Sequence, residues 1–276
     1  MERIQSVEGS ALGDAGMSGV LVESQSDASR VWLGRLVGIG FGVLTQVLFL
    51  WTAYHLFWFL RGPLPVDGVF PEHARFVAWA DTLLALFFAW PHSLLLFPPV
   101  QKWIKQRVEP AMMGCIHCVA TCVSLLVLFA FWTSSSRVVW QLSGWAETAM
   151  LAAFYGSWIS LLYSLWLTGM GYQTGLLPWL YWVRRERAPR REFVQRGAFR
   201  VMRHPVYLSF LGLIWFTPRM TLDHVILTAV WTAYIYAGSY LKDRRLLRII
   251  GEPYREYARR VPGFPLIGLG IIGKLP

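Results

Sequence analysis

Long apolar runs separated by short basic segments make up most of this chain, and the pattern predicts helices of membrane-crossing length. The runs fall at about 31–60, 76–96, 110–132, 147–170, 205–217 and 222–241. A hydrocarbon layer roughly 30 Å thick needs about 20 apolar residues as a helix. The first run exceeds that need and is expected to tilt or to extend past the interface. The fifth is too short to cross upright, which leaves an extended span, a half-span or a segment tucked under the bundle. The predicted fold is an all-α, polytopic membrane helix bundle of five to six spans. Ahead of the first run, residues 1–29 are rich in Ser, Gly and acidic side chains and read as a disordered tail, leaving 30–276 as one membrane-embedded domain. Met1-Glu-Arg-Ile-Gln-Ser leads into no apolar stretch, so it does not read as a cleavable signal.

The connectors carry their own pattern. Residues 62–75 hold three prolines and charges of both signs, and predict an exposed loop. Gly171-Tyr-Gln-Thr-Gly175 breaks the fourth helix before an aromatic stretch, 176–183, that either re-enters the membrane or lies in its interface. Beyond the last run, Leu246, Leu247, Ile250, Tyr254 and Tyr257 recur at spacings of three and four. That spacing predicts a pair of amphipathic interfacial helices broken at Gly251-Glu252-Pro253.

Composition strengthens this picture. Hydrophobic residues make up 55% of the 276 positions and charged ones only 15%, a balance that places the chain in the bilayer rather than in solution. The net charge of +10 raises the question of nucleic acid. The Lys and Arg residues, however, flank the apolar runs, as the positive-inside rule requires, so lipid rather than nucleic acid is the expected partner. Eight arginines between Arg184 and Arg203 face only Glu186 and Glu192, which puts that loop in the cytoplasm. Six passes would place both termini and the 101–109 loop on the same side. The expected location is thus an integral multi-pass membrane protein, in the inner membrane if bacterial, with cytoplasmic termini. Oligomeric state has no signature.

Candidate chemistry gathers where basic and apolar segments meet. In Arg196-Gly-Ala-Phe-Arg200-Val-Met-Arg203-His204-Pro205-Val-Tyr207, the proline suits a first helical turn. Arg203 and His204 then stand at a helix mouth, where free N–H groups and cationic side chains favour an anionic group such as a carboxylate. A positive-inside flank explains the same residues. In the second run, Asp81 and Pro91-His92-Ser93 are polar groups deep in an apolar helix. His92 reads either as a kink residue beside proline or as a site residue facing the bundle. His55 lies among interfacial aromatics. Cys115, Cys118 and Cys122 share a helix face, with His117 turned away from it; a small-residue packing seam accounts for them better than a metal site does. Three cysteines along one helix give no disulfide framework.

Two C-terminal stretches carry a resemblance. Arg203-His204-Pro205-Val-Tyr207, with Leu241-Lys-Asp243-Arg-Arg through Gly251-Glu-Pro-Tyr254-Arg-Glu-Tyr257-Ala-Arg-Arg260-Val-Pro262, resembles the signature of the isoprenylcysteine carboxyl methyltransferase superfamily, which includes NnrU-like proteins. The stretches Asp81 to Ser93 and Phe216 to His224 are similar to its bacterial methanethiol S-methyltransferase branch. The resemblance implies a membrane enzyme that moves a methyl group from S-adenosylmethionine to a sulfur or carboxylate nucleophile at the cytoplasmic face. It implies cofactor contacts from Arg203, His204, Tyr207, Asp243, Tyr254 and Tyr257, and His92 or Arg260 as the group assisting a small thiol substrate. No metal is implied. The chain departs from the pattern in Lys242-Asp243, where two glutamates are usual, in Ser209 for a glycine and in Pro91 for a glutamine. The alternatives are a non-catalytic or haem-associated NnrU-like protein, with His55, His92 or His117 as ligands, and a methyltransferase acting on an isoprenylcysteine-like carboxylate.

Overall fold

Apolar segments that cannot leave backbone groups unpaired in lipid become helices, and this chain is built almost wholly from them. The computed structural model describes the backbone of residues 8–62 and 74–265 and the side chains of 32–62 and 78–265. Most of the 62–75 connector lies outside these described residues. The chain divides into two units, 1–44 and 45–276. Helix α1 (Glu8–Arg61) begins within the stretch that composition reads as a tail. It is followed by α2 (Ala74–Leu94), α3 (Pro98–Lys105), α4 (Met113–Phe131), α5 (Trp145–Leu167), α6 (Met170–Gln173), α7 (Leu176–Arg184), α8 (Pro205–Trp215), α9 (Leu222–Ile250) and α10 (Glu252–Arg260).

Among the described residues, three helical stretches are long and apolar enough to cross a membrane: Trp32–Arg61, Pro110–Phe131 and Trp145–Leu167. A fourth arises if α2 and α3, bent by 62° at their junction, count as one span. α8 is an apolar helix of only 11 residues. The last predicted run and the first half of the predicted amphipathic pair are one continuous helix, α9, so the expected separation near Lys242 is absent. Gly251 ends it with φ +76°, a left-handed value that suits glycine, and Pro253 opens α10.

Small residues set the helix spacing. Buried Cys115, Cys118, Cys122, Leu125 and Phe129 form the inward stripe of α4 at spacings of three and four, which bears out the packing-seam reading of the thiols. A Cβ added at Gly114 would stand 2.5 Å from the Gly175 Cα, so α4 meets the start of α7 backbone to backbone. α5 and α8 approach as closely, because a Cβ on Gly212 would lie 2.1 Å from Ser157 Oγ; nearby, Ser209 donates to Ser160 at 2.9 Å. On the outer faces, Trp145, Ile159 and Trp166 of α5 are exposed, as lipid-facing residues would be.

Contacts within 45–276 sort into two ends. At one, Phe59 packs on Phe129 and Trp132, and strands β1 (Val138–Gln141) and β2 (Arg219–Thr221) pair antiparallel, with Val138 opposite Thr221 and Gln141 opposite Arg219. This short pairing is the one departure from an all-α fold among the described residues. At the other end, Gln46 donates to the Thr174 carbonyl, Gly114 meets Gly175, and the Arg203 segment meets the end of α9. Successive long helices therefore run back and forth between the ends.

Candidate active site

Pro205 does start a helix, and the residues before it are held by the chain's C-terminal segment. The Arg203 N–H donates to Pro262 O at 2.9 Å and the His204 N–H to Gly263 O at 3.1 Å, so residues 261–264 strap across the mouth of α8. Phe264 closes the strap, with its ring 5.4 Å from His204 and 5.1 Å from Tyr236. Arg203 is 2% exposed and spends its whole guanidinium inside the protein. Its Nε and Nη2 donate to Asp243 Oδ2 at 3.2 and 2.8 Å, while Nη1 donates to the carbonyls of Ala258 and Val261. Tyr254 donates a short hydrogen bond to Asp243 Oδ1. Tyr257 donates to Phe199 O at 2.7 Å.

The structure thus brings five of the cofactor residues named from the sequence, Arg203, His204, Asp243, Tyr254 and Tyr257, into one buried cluster, with Tyr207 at its edge. It also alters the expected contacts. Arg203 and Asp243 are turned toward each other rather than outward, because neither charge is affordable this deep without the other. Burial raises the Asp243 carboxyl, but His204, Tyr254 and Arg203 together outweigh burial and hold it below its ordinary value. Burial also pushes the Tyr254 and Tyr257 phenols well up, and the Asp243 charge adds to this at both. His204 differs from its neighbours. Its Nε2 lies 3.2 Å from Asp243 Oδ1 but off the line of a hydrogen bond, and neither ring nitrogen has a hydrogen-bond partner among the described residues. Burial lowers its basicity, with Asp243 pulling the other way.

Beside this cluster stands a surplus of positive charge. Lys242 Nζ sits 5.2 Å from the centre of the Tyr207 ring, and burial lowers the lysine to about 8. Arg191 and Arg245 are within electrostatic reach of it. Arg245, which the sequence reading did not single out, also reaches Tyr207, His92 and His117. It links the buried cluster to a second polar group.

That second group is formed by His92 and His117, whose rings meet edge to face at 4.7 Å. Phe88 and Tyr234 flank His92, and Tyr234 is tied to Ser93 by a 2.9 Å hydrogen bond. The tautomer of His92 follows from its partner. Thr121 spends its hydroxyl proton on His117 O at 2.8 Å, so across the 3.2 Å contact with His92 Nδ1 it can only accept. Nδ1 therefore carries the proton and Nε2 keeps its lone pair. Nε2 of His117 is buried without a partner.

Arg260 and His55 are not brought here. Arg260 is exposed on α10 and caps its own helix through Glu256 O at 3.4 Å, since the inward face of α10 is taken by Tyr254, Tyr257 and Ala258. His55 packs on Trp51 and Tyr54 toward the opposite end of the bundle. No ring contact among the described residues joins it to His92 or His117. Among the described residues, no three His, Cys, Asp or Glu side chains gather as a metal cluster.

Comparison with known proteins gives an independent view. No family model matches the chain, and no solved structure does. Curated relatives do. A methanethiol S-methyltransferase of a Pseudomonas species is 27% identical over 84% of this chain and 90% of its own length. One from Crocosphaera subtropica is 25% identical over 90% of this chain and 99% of its own. Nurim of Danio rerio is 24% identical over 56% and 59%. The resemblance read from the Arg203 and His92 stretches therefore holds, and the chain is similar over most of its length to methanethiol S-methyltransferases and over a shorter part to nurim.

Proposed function

We propose that this chain is an integral membrane S-adenosylmethionine-dependent methyltransferase that methylates a small thiol, with methanethiol going to dimethyl sulfide. Residues 30–276 form the membrane-embedded domain. α8 and α9 supply the further passes that bring the count to five or six, with the Arg-rich loop and both termini in the cytoplasm. The single observation that carries the reading is the meeting, at one end of the bundle, of a proton-accepting His92 with a cation-rich, aromatic-walled cluster around His204. The similarity to methanethiol S-methyltransferases over nearly the full chain supports the same reaction.

The residues fit the proposed methyl donor in one specific way. Its carboxylate calls for cations whose charge is not already spent, and Lys242 and Arg245 meet that need where the paired Arg203 does not, while the uncommitted His204 ring offers an N–H donor. Tyr207, Tyr236 and Phe264 offer flat walls for a purine. Arg203, Asp243, Tyr254 and Tyr257 serve as the frame that fixes His204 and the strap. When bound, the donor supplies an electrophilic methyl group on a sulfonium sulfur. His92 Nε2 takes the thiol proton, and the resulting thiolate is the stronger nucleophile. The ring is already aligned by Thr121, so little reorganisation is needed at the moment of transfer. The compact, aromatic surroundings of His92 favour a small acceptor over a prenylated chain.

Headspace gas chromatography of cells expressing the protein and fed methanethiol tests the reading. Dimethyl sulfide above the empty-vector level is expected. Its absence, with S-adenosylmethionine binding established by calorimetry, would exclude this acceptor in favour of a carboxylate or a larger thiol.

A further inference from the structure

Lys242 lies over the Tyr207 ring with Arg191 and Arg245 in electrostatic reach, and none of the three enters an ion pair among the described residues. Lys242 and Arg245 belong to α9 and are half-buried. Arg191 is exposed and comes from the segment between α7 and α8, which is fastened on both sides of it. Tyr172 of α6 donates to Pro189 O at 2.6 Å. The Phe193 ring packs 5.5 Å from Tyr254 and 5.2 Å from Tyr257 of the buried cluster. Four residue steps span at most about 14 Å, so Arg191, halfway between these anchors, stays close to the two α9 cations.

Like charges gathered without a counter-charge repel one another, and more strongly where water is partly excluded. Arginines that merely flanked a membrane would spread into solvent or pair with the loop's own acids. Yet neither Glu186 nor Glu192 forms an ion pair among the described residues. The anchors at Pro189 and Phe193 instead hold the loop against the repulsion, and an anion set among the three cations relieves it. A carboxylate suits them, because its two oxygens accept several charge-assisted hydrogen bonds at once.

We propose, resting on the methyl-donor reading above, that Arg191 is a donor-binding residue outside the sequence motif. It brings the 189–193 loop onto the donor's carboxylate and completes a clasp with Lys242 and Arg245. The same three charges repel the donor's ammonium, which sets the direction in which its amino-acid end lies.

Calorimetry with S-adenosylmethionine and with its decarboxylated form, which lacks only the carboxylate, tests this in detergent-solubilised full-length protein at constant ionic strength. The parent should bind the decarboxylated form more weakly. Arg191→Gln should weaken S-adenosylmethionine about ten-fold, the size of one charge-assisted contact, without weakening the decarboxylated form. Arg191→Lys should recover part of that loss. Tyr172→Phe, which releases the Pro189 anchor, should show a smaller loss of the same kind. Arg190→Gln removes the same charge one position away and should weaken neither ligand. Equal S-adenosylmethionine affinity in the parent and Arg191→Gln, an equal loss for both ligands, or the same loss from Arg190→Gln would overturn the clasp and leave the donor reading standing. A parent that binds neither form would overturn the donor reading itself, and the clasp with it.

Discussion

Two polar groups sit at the same end of this bundle and are built on opposite plans. Around Arg203 and Asp243, nearly every donor and acceptor is consumed within the protein. Around His92 and His117, ring nitrogens remain uncommitted, and Nε2 of His92 keeps its lone pair because Thr121 has already given its proton to His117 O. A buried charge pair whose hydrogen bonds are complete is suited to holding shape; a neutral imidazole with a spare lone pair is suited to moving a proton. Under the proposed function the motif richest in charge is the frame, and the chemistry falls to its less conspicuous neighbour.

The hardest test of that division is Arg203→Ala. It leaves Asp243 buried with its main counter-charge gone and should destabilise the protein by about 3–5 kcal/mol, read as a large fall in Tm in detergent. If Arg203 instead faced the cofactor, binding would fall with Tm little changed. His92→Ala should do the reverse, cutting turnover by about a hundred-fold while cofactor affinity and Tm hold. A Tm loss as large as that of Arg203→Ala would erase the contrast. Gly114→Ala should cost about 2 kcal/mol, because the new methyl meets the Gly175 backbone rather than a side chain that can rotate away. Unchanged stability there would mean that α4 and α7 separate readily beneath the His117 site.

The smallest effect concerns pH. Lys242 is lowered to about 8 in the folded protein against about 10.4 unfolded, so between these values the unfolded chain binds more protons. Stability should therefore rise with pH across that window. Lys242→Met should flatten the rise and raise stability at neutral pH. Bound carboxylate should restore the lysine's charge, so cofactor affinity should weaken above pH 8 in the parent and not in the variant.

Much of this arrangement was legible before the fold. Apolar runs place α2, α4 and α5, and a proline after Arg203-His204 announces the mouth of α8, because both depend on local chain chemistry. The partners of those residues did not follow. That Arg203 would turn to Asp243, 40 positions on, depends on how α8 and α9 cross, and spacing alone treats both as outward-facing charges. Spacing turns His117 away from the thiol seam but names no partner for it, because His92 lies on another helix. Arg260 carried the motif but not the position, because its face of α10 is set by Tyr254 and Tyr257. The β1–β2 pairing escaped notice because strands of four and three residues are too short to alternate visibly.

Under the proposed function, the end of the bundle holding His92 transfers a donor methyl to a small thiol. Purified protein in detergent, given methanethiol and S-adenosylmethionine deuterated in its methyl group, tests this most directly by mass spectrometry of the volatile product. Dimethyl sulfide carrying one CD3 group, lost in His92→Ala while that variant still binds the donor, is the predicted result. Donor binding by the parent with no deuterated dimethyl sulfide would contradict the account.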